Sequence, residues 1–141
     1  MQRGFSLIEV LLVIAIVAVT IAMSGAFSLG TVSRSYAIGE RDVFVTLLTQ
    51  ARAKSLANID EQTHSVYIDA LTNRYVLYEG PSSSTGAIYV TKSTSLIPIG
   101  QKTFTFEQLT GDGLSGIGTT TIDGGTVKYS VNINSAGRIN W

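Results

Sequence analysis

The chain has 141 residues, room for one domain. Hydrophobic residues make up 45% and charged residues only 14%, against a usual charged share of about 25%, and much of the apolar excess lies near the N-terminus. A formal net charge of zero argues against a general polyanion binder, and the lack of cysteine excludes a disulfide scaffold, a thiol nucleophile and a cysteine-held metal.

Met1-Gln2-Arg3-Gly4 opens the chain, and an apolar run follows it. After Glu9 the next charge is Arg34. As a helix, residues 5–29 would extend about 37 Å, enough to cross a hydrocarbon core of about 30 Å. Arg3 on the flank places that end in the cytoplasm. A cleaved secretory signal is the competing reading, because Ala22-Met23-Ser24 before Gly25 has the small-x-small form of a cleavage site. The run is longer than the ~7–15 apolar residues such signals use, which argues for an anchor that stays.

Glu9 is the informative residue. A carboxylate at the centre of a membrane helix costs about 2.5–3.5 kcal/mol, less near an end. Cleavage between Gly4 and Phe5 would create a positive α-amino group, with a reference pKa of about 7.7–8.0, one helical turn from Glu9. In a neighbouring copy shifted along the helix axis, the same amine would face this carboxylate. Two charges that are unfavourable in separate chains would then neutralise each other in an assembly, so Glu9 is expected to act in assembly.

The stretch Gly4-Phe5-Ser6-Leu7-Ile8-Glu9-Val10-Leu11-Leu12-Val13-Ile14 resembles the class III signal of type IV pilins and type II secretion pseudopilins. The resemblance implies that a prepilin peptidase cuts after Gly4 and N-methylates Phe5, and that Glu9 serves filament assembly. It also implies the partners: the prepilin peptidase, other pilin or pseudopilin subunits, and an inner-membrane assembly platform. The implied location is the cytoplasmic (inner) membrane, single-pass with the N-terminus in the cytoplasm, and then a periplasmic or extracellular filament. Two features depart from the common pattern: the leader is only residues 1–4, and the anchor has no proline.

Beyond the anchor, Gly30 and Ser33 are only weak interruptions, and helical character resumes from Arg41 to Asn58, so a single helix from Phe5 to about Ala57 is expected. Phe44, Leu47, Leu48 and Ala51 recur at spacings of three and four, while Arg41, Asp42, Thr49, Gln50, Arg52 and Lys54 fall mostly off that stripe. The stripe predicts a dry face that packs on the segment that follows. Ser65–Asp69 and Arg74–Tyr78 alternate with period two and form a hairpin across Ala70-Leu71-Thr72-Asn73. Ala87–Thr91 is a short strand, Thr103–Gln108 alternates cleanly, and Thr119–Ile122 and Thr126–Ile133 flank the turn Asp123-Gly124-Gly125. Asn134–Gly137 turns the chain into Arg138-Ile139-Asn140-Trp141.

The predicted fold is α+β: a long N-terminal helix, transmembrane in its first half and amphipathic in its second, packed on a small antiparallel β-sheet domain. The segments are a leader at 1–4, an anchor and assembly helix at 5–29, its amphipathic continuation at 30–58, and a β-rich head at 59–141. This order, with Ala51-Arg52-Ala53-Lys54-Ser55 ending the helix and Gly137-Arg138 in the last turn, is similar to that of GspH/FimT-like minor pilins. Some of that group bind DNA through a C-terminal Gly-Arg-x-Arg. Arg138 is therefore the nucleic-acid candidate, although Asn140 stands where the second arginine would be. From His64 onward the bases Arg74, Lys92, Lys102, Lys128 and Arg138 are matched in number by the acids Asp69, Glu79, Glu107, Asp112 and Asp123. Bulk charge therefore does not support DNA as a partner.

No catalytic arrangement is visible. The single histidine, His64, reads as a surface strand residue without Ser/His/Asp or Cys/His company. Gly111–Gly118 is glycine-rich but lacks the Lys-Ser/Thr of a phosphate loop, so it reads as a loop. Asp112 and Asp123 have no ligand spacing for calcium, and no metal or cofactor is assigned. The expected function is that of a structural, minor subunit of a type IV pilus or secretion pseudopilus, not an enzyme. The alternative is a membrane-anchored adhesive or ligand-binding protein, including a DNA-binding pilus-tip component.

Overall fold

The structure, a computed structural model, describes residues 6–69, 71–72, 74–80, 89–92, 99–100, 102–123 and 127–141; within these, 24–30, 33 and 89–92 are described by backbone alone. One helix, α1 (Leu7–Leu56), runs without a break through Gly25, Gly30 and Ser33, a length of about 75 Å at 1.5 Å per residue. An isolated glycine weakens a helix by only about 1 kcal/mol, so the weak interruptions at Gly30 and Ser33 leave the helix continuous, as the sequence led us to expect. The helix ends where Asn58 takes a left-handed φ of 51°, and the Ala57 N–H bonds to the Ala53 carbonyl at 2.9 Å. Asparagine tolerates that conformation, which stops the helix.

Among the described residues no helix is long and apolar enough to cross a membrane. In the N-terminal apolar run, the side chains described extend from Leu7 to Met23 and are exposed. The expected span, 5–29, extends beyond them at both ends.

The rest of the chain is antiparallel sheet. Strands β1 (His64–Asp69), β2 (Arg74–Glu79), β3 (Tyr89–Lys92), β4 (Thr103–Phe106) and β5 (Gly113–Ser115) form one sheet in the order β3-β2-β1-β4-β5. A second sheet has the order β6 (Gly118–Asp123), β7 (Lys128–Ile133), β8 (Ile139–Asn140). The β1–β2 hairpin pairs His64 with Glu79 and Asp69 with Arg74. At its tip the Asp69 carboxylate accepts the Leu71 N–H at 2.9 Å and the Thr72 hydroxyl at 2.6 Å. These bonds, with the Thr72 hydroxyl foremost, hold Asp69 below the usual carboxylate range. The Asp123-Gly124-Gly125 turn lies partly outside the described residues.

The second half of α1 packs across both sheets. Its buried stripe is Ala37, Glu40, Phe44, Leu47, Leu48, Ala51 and Ser55, with the spacing of three and four that one helix face requires. Phe44, Leu48 and Ala51 meet Val66, Ile68, Tyr75, Leu77, Phe104 and Phe106 from the larger sheet and Ile122, Val131 and Ile133 from the smaller one. Alternation in β4 turns Phe104 and Phe106 inward and leaves Thr103 and Thr105 half-buried.

Three sequence expectations need correction or extension. His64 is fully buried, not a surface residue; it shares the inward face of β1 with Val66 and Ile68, as period two requires. The glycine-rich stretch is not loop throughout, because residues 113–115 form β5 on the edge of β4. Hydrogen bonding to an exposed strand edge, not side-chain alternation, makes that short strand. Finally, Glu40 and Ser55 lie on the dry stripe although both are polar.

Candidate functional site

The residues singled out in the sequence fall into two separate places. At the N-terminus, Gly4 and Phe5 lie outside the described residues. Glu9 occupies the first turn of α1, three positions after the N-cap residue Ser6. Its carboxylate accepts the Ser6 backbone N–H at 3.2 Å, one half of a capping box. The first turn of a helix has unpaired N–H groups and a partial positive charge, so a single chain already gives Glu9 a favourable local contact. Leu7, Ile8, Val10, Leu11 and Leu12 surround it and are exposed. An apolar cylinder that carries one carboxylate at its tip fits a packed helix bundle better than water.

At the other end of the chain, Asn134–Gly137 turns into β8. The Arg138 N–H donates to Asn134 Oδ1 at 2.8 Å, and the Arg138 side chain is exposed. Gly137 has a φ of +65°, and a Cβ there would come within 1.9 Å of the Gly111 carbonyl oxygen. Arg52 reaches across from α1 and donates from Nε to the Gly111 carbonyl at 3.2 Å and from Nη2 to the Ala136 carbonyl at 3.4 Å. Gly137 therefore acts in chain packing, and Arg52 is bound to backbone oxygens. That leaves Arg138 exposed in this turn without a second arginine beside it in sequence.

Sequence reasoning did not find the polar cluster at the C-terminal end of α1. Lys54 Nζ donates to Glu79 Oε1 at 2.9 Å, and Glu79 Oε1 lies 3.6 Å from His64 Nε2. Ser55 Oγ lies 3.4 Å from His64 Nδ1, accepts the His64 backbone N–H at 3.1 Å and donates to the Phe106 carbonyl at 3.1 Å. Burial holds the imidazole pKa below its usual value; Glu79 opposes that shift and Lys54 adds to it. The hydrogen bond from Lys54 is the main cause that holds Glu79 below the usual carboxylate range. Period two in β1 was the available signal for His64, but its meeting with Ser55 and Glu79 depends on how the hairpin docks on the helix.

Ser55, His64 and Glu79 line up in the order of a hydrolytic relay. Ser55 is nevertheless fully buried, and its hydroxyl proton goes to a carbonyl. A nucleophile must face substrate and lose its proton to the base, and here neither condition is met. The cluster ties α1, β1, β2 and β4 together.

Comparison with curated proteins gives no match, and comparison with solved structures gives none. Residues 1–25 do match a family model, that of the prokaryotic N-terminal methylation motif. The match covers the stretch in which a short basic leader, Gly4-Phe5, Glu9 and an apolar run follow one another, so the chain carries a prokaryotic N-terminal methylation motif at its N-terminus.

Proposed function

We propose that the protein is a structural subunit of a type IV pilus or secretion pseudopilus, matured by cleavage after Gly4 and N-methylation of Phe5. In this reading residues 5–29 anchor the precursor across the inner membrane with the N-terminus in the cytoplasm. The same helix then packs against other subunits once an assembly platform extracts the protein. The observation that supports this most is the division of α1: its side chains from Leu7 to Met23 are exposed and, apart from Glu9 and Thr20, apolar, and a dry stripe from Ala37 to Ser55 is covered by the protein's own sheets. One half of the helix is satisfied within the chain, and the other half needs an apolar environment from outside. The order of long helix, hairpin and terminal Gly137-Arg138 turn supports a minor subunit of the GspH/FimT-like kind.

The test is processing. The intact mass of membrane-extracted protein should correspond to a chain that begins at Phe5 and carries one additional methyl group. Gly4→Val should leave the uncut precursor in the membrane, because glycine permits an extended backbone without side-chain clash in the peptidase site. Normal maturation of Gly4→Val, or a wild-type chain that begins at Gly25, would exclude the reading.

A further inference from the structure

We propose that Asp60, His64 and Glu79 form a binding site for one divalent transition-metal cation of the zinc type, entered from the Asp60 side and occupied in competition with Lys54. Each of the three residues offers a ligand atom, and these atoms all lie within 4.8 Å of one another. They come from three elements that the fold brings together: the short turn Ile59–Glu61, the start of β1 and the end of β2. His64 and Glu79 stand opposite each other in the hairpin register. His64 and Glu79 are buried, and Asp60 is exposed, so one side of the cluster opens to solvent.

The independent observation is the imidazole itself. His64 has no exposed surface, and its Nε2 has no hydrogen-bond partner. Buried polar atoms are paired in the great majority of cases. The Ser55 hydroxyl gives its proton to the Phe106 carbonyl. Its contact with Nδ1 is therefore satisfied when the ring carries its proton on Nδ1 and donates to Ser55 Oγ. A neutral ring in that tautomer presents a lone pair at Nε2, and this lone pair faces Glu79 Oε1 at 3.6 Å. Glu79 Oε1 already has the Lys54 ammonium at 2.9 Å, so of the two facing atoms only Nε2 lacks a partner.

The groups that act on the ring are Lys54 from α1, Asp60 and the Gln62 carbonyl from the turn, and Glu79 from β2. Lys54 satisfies Glu79 and leaves Nε2 unpaired. A divalent ion that replaced the ammonium at Glu79 would satisfy Nε2 and both carboxylates together. One imidazole nitrogen with two carboxylates suits zinc and its neighbours, with water completing a four-coordinate shell. Calcium and magnesium prefer all-oxygen shells and do not suit a site with a nitrogen at its buried end. This site is independent of the pilin reading, and either proposal can fail alone.

His64 is the only histidine in the chain, so its ring nitrogens report the site without ambiguity. The experiment uses full-length, untagged protein in detergent micelles, labelled with ¹⁵N-histidine and stripped with a chelator. Zn²⁺ should shift the Nε2 resonance and saturate at one equivalent, whereas Mg²⁺ and Ca²⁺ should leave it in place. Asp60→Asn changes an exposed residue and should weaken Zn²⁺ binding at least about tenfold. Lys54→Met removes the competing ammonium and should tighten binding. An Nε2 resonance indifferent to Zn²⁺ would overturn the proposal. Binding of wild-type strength in Asp60→Asn, or no tightening in Lys54→Met, would equally overturn it, since the site requires a ligand at one position and a competitor at the other.

Discussion

The ring of Phe44 stacks on that of Tyr75 with centroids 5.4 Å apart and meets Phe104 edge-on at 5.3 Å, so one helix residue joins α1 to β2 and β4. All three rings are buried. Burial pushes the Tyr75 hydroxyl well above its ordinary pKa, and Glu40 beside it acts in the same direction. Buried contacts along α1 begin at Ala37, so a chain that begins at Arg34 should fold as a soluble monomer. In that shortened protein Phe44→Ala should lower the unfolding free energy by about 3–5 kcal/mol in urea. A loss below about 1 kcal/mol would mean that the ring is not part of the core.

Gly137 and Arg138 adjoin in sequence but should behave as opposites. Gly137→Ala places a methyl group against the Gly111 carbonyl and forces alanine into a left-handed φ of +65°. It should destabilise by more than about 1 kcal/mol. Arg138→Ala alters an exposed side chain and should stay within about 0.5 kcal/mol of wild type. Thermal unfolding of both variants separates the packing role of the glycine from any surface role of the arginine.

The pH dependence follows from the polar cluster. Burial lowers the pKa of His64 from 6.5. Below about pH 6.5 the unfolded chain therefore takes a proton that the folded chain resists, and stability falls as the pH falls. Glu79 is also lowered, chiefly by its hydrogen bond from Lys54. Its contribution is present above the unfolded carboxylate value and is lost on further acidification through the folded value. Urea unfolding between pH 8 and 4, with chelator present, should show stability decline from about pH 6.5 downward. His64→Phe should remove the upper part of that decline and keep the lower part. A flat wild-type profile from pH 7 to 5 would contradict the burial of a neutral imidazole.

Glu9 has a local contact and a proposed distant one, and two substitutions separate them. Glu9→Gln keeps an oxygen that can accept the Ser6 N–H, but it removes the charge. Glu9→Val removes both. Opposite charges about 4 Å apart attract by about 4 kcal/mol at an effective dielectric of 20 and by about 1 in water, and desolvation offsets part of this. If Glu9 neutralises the Phe5 amine of a neighbouring subunit, both variants should insert, be cleaved after Gly4 and fail to enter filaments. Sheared-filament and membrane fractions from a host without the wild-type copy provide the measurement. Normal assembly of Glu9→Gln with failure of Glu9→Val would assign Glu9 to helix capping instead of charge pairing.

The sequence by itself determined the features that depend on near neighbours in the chain. A lone carboxylate behind Gly4-Phe5 in an apolar run is a local pattern, and it identified the methylation signal. Spacings of three and four marked Phe44, Leu47, Leu48 and Ala51 as the dry face, and period two marked the β1–β2 hairpin, because side-chain direction repeats with the local backbone geometry. Only the tertiary structure decided the rest. Glu40 and Ser55 are polar, so hydropathy could not place them on the buried stripe; Ser55 is tolerated there because Phe106, far along the chain, supplies a carbonyl for its hydroxyl. β5 forms from a glycine-rich stretch because an edge of β4 is available to pair with it. The meeting of Lys54, His64 and Glu79 required the helix end, the hairpin register and the docking angle together. Burial and pairing of charge are properties of that packed arrangement, and no periodicity along the chain encodes them.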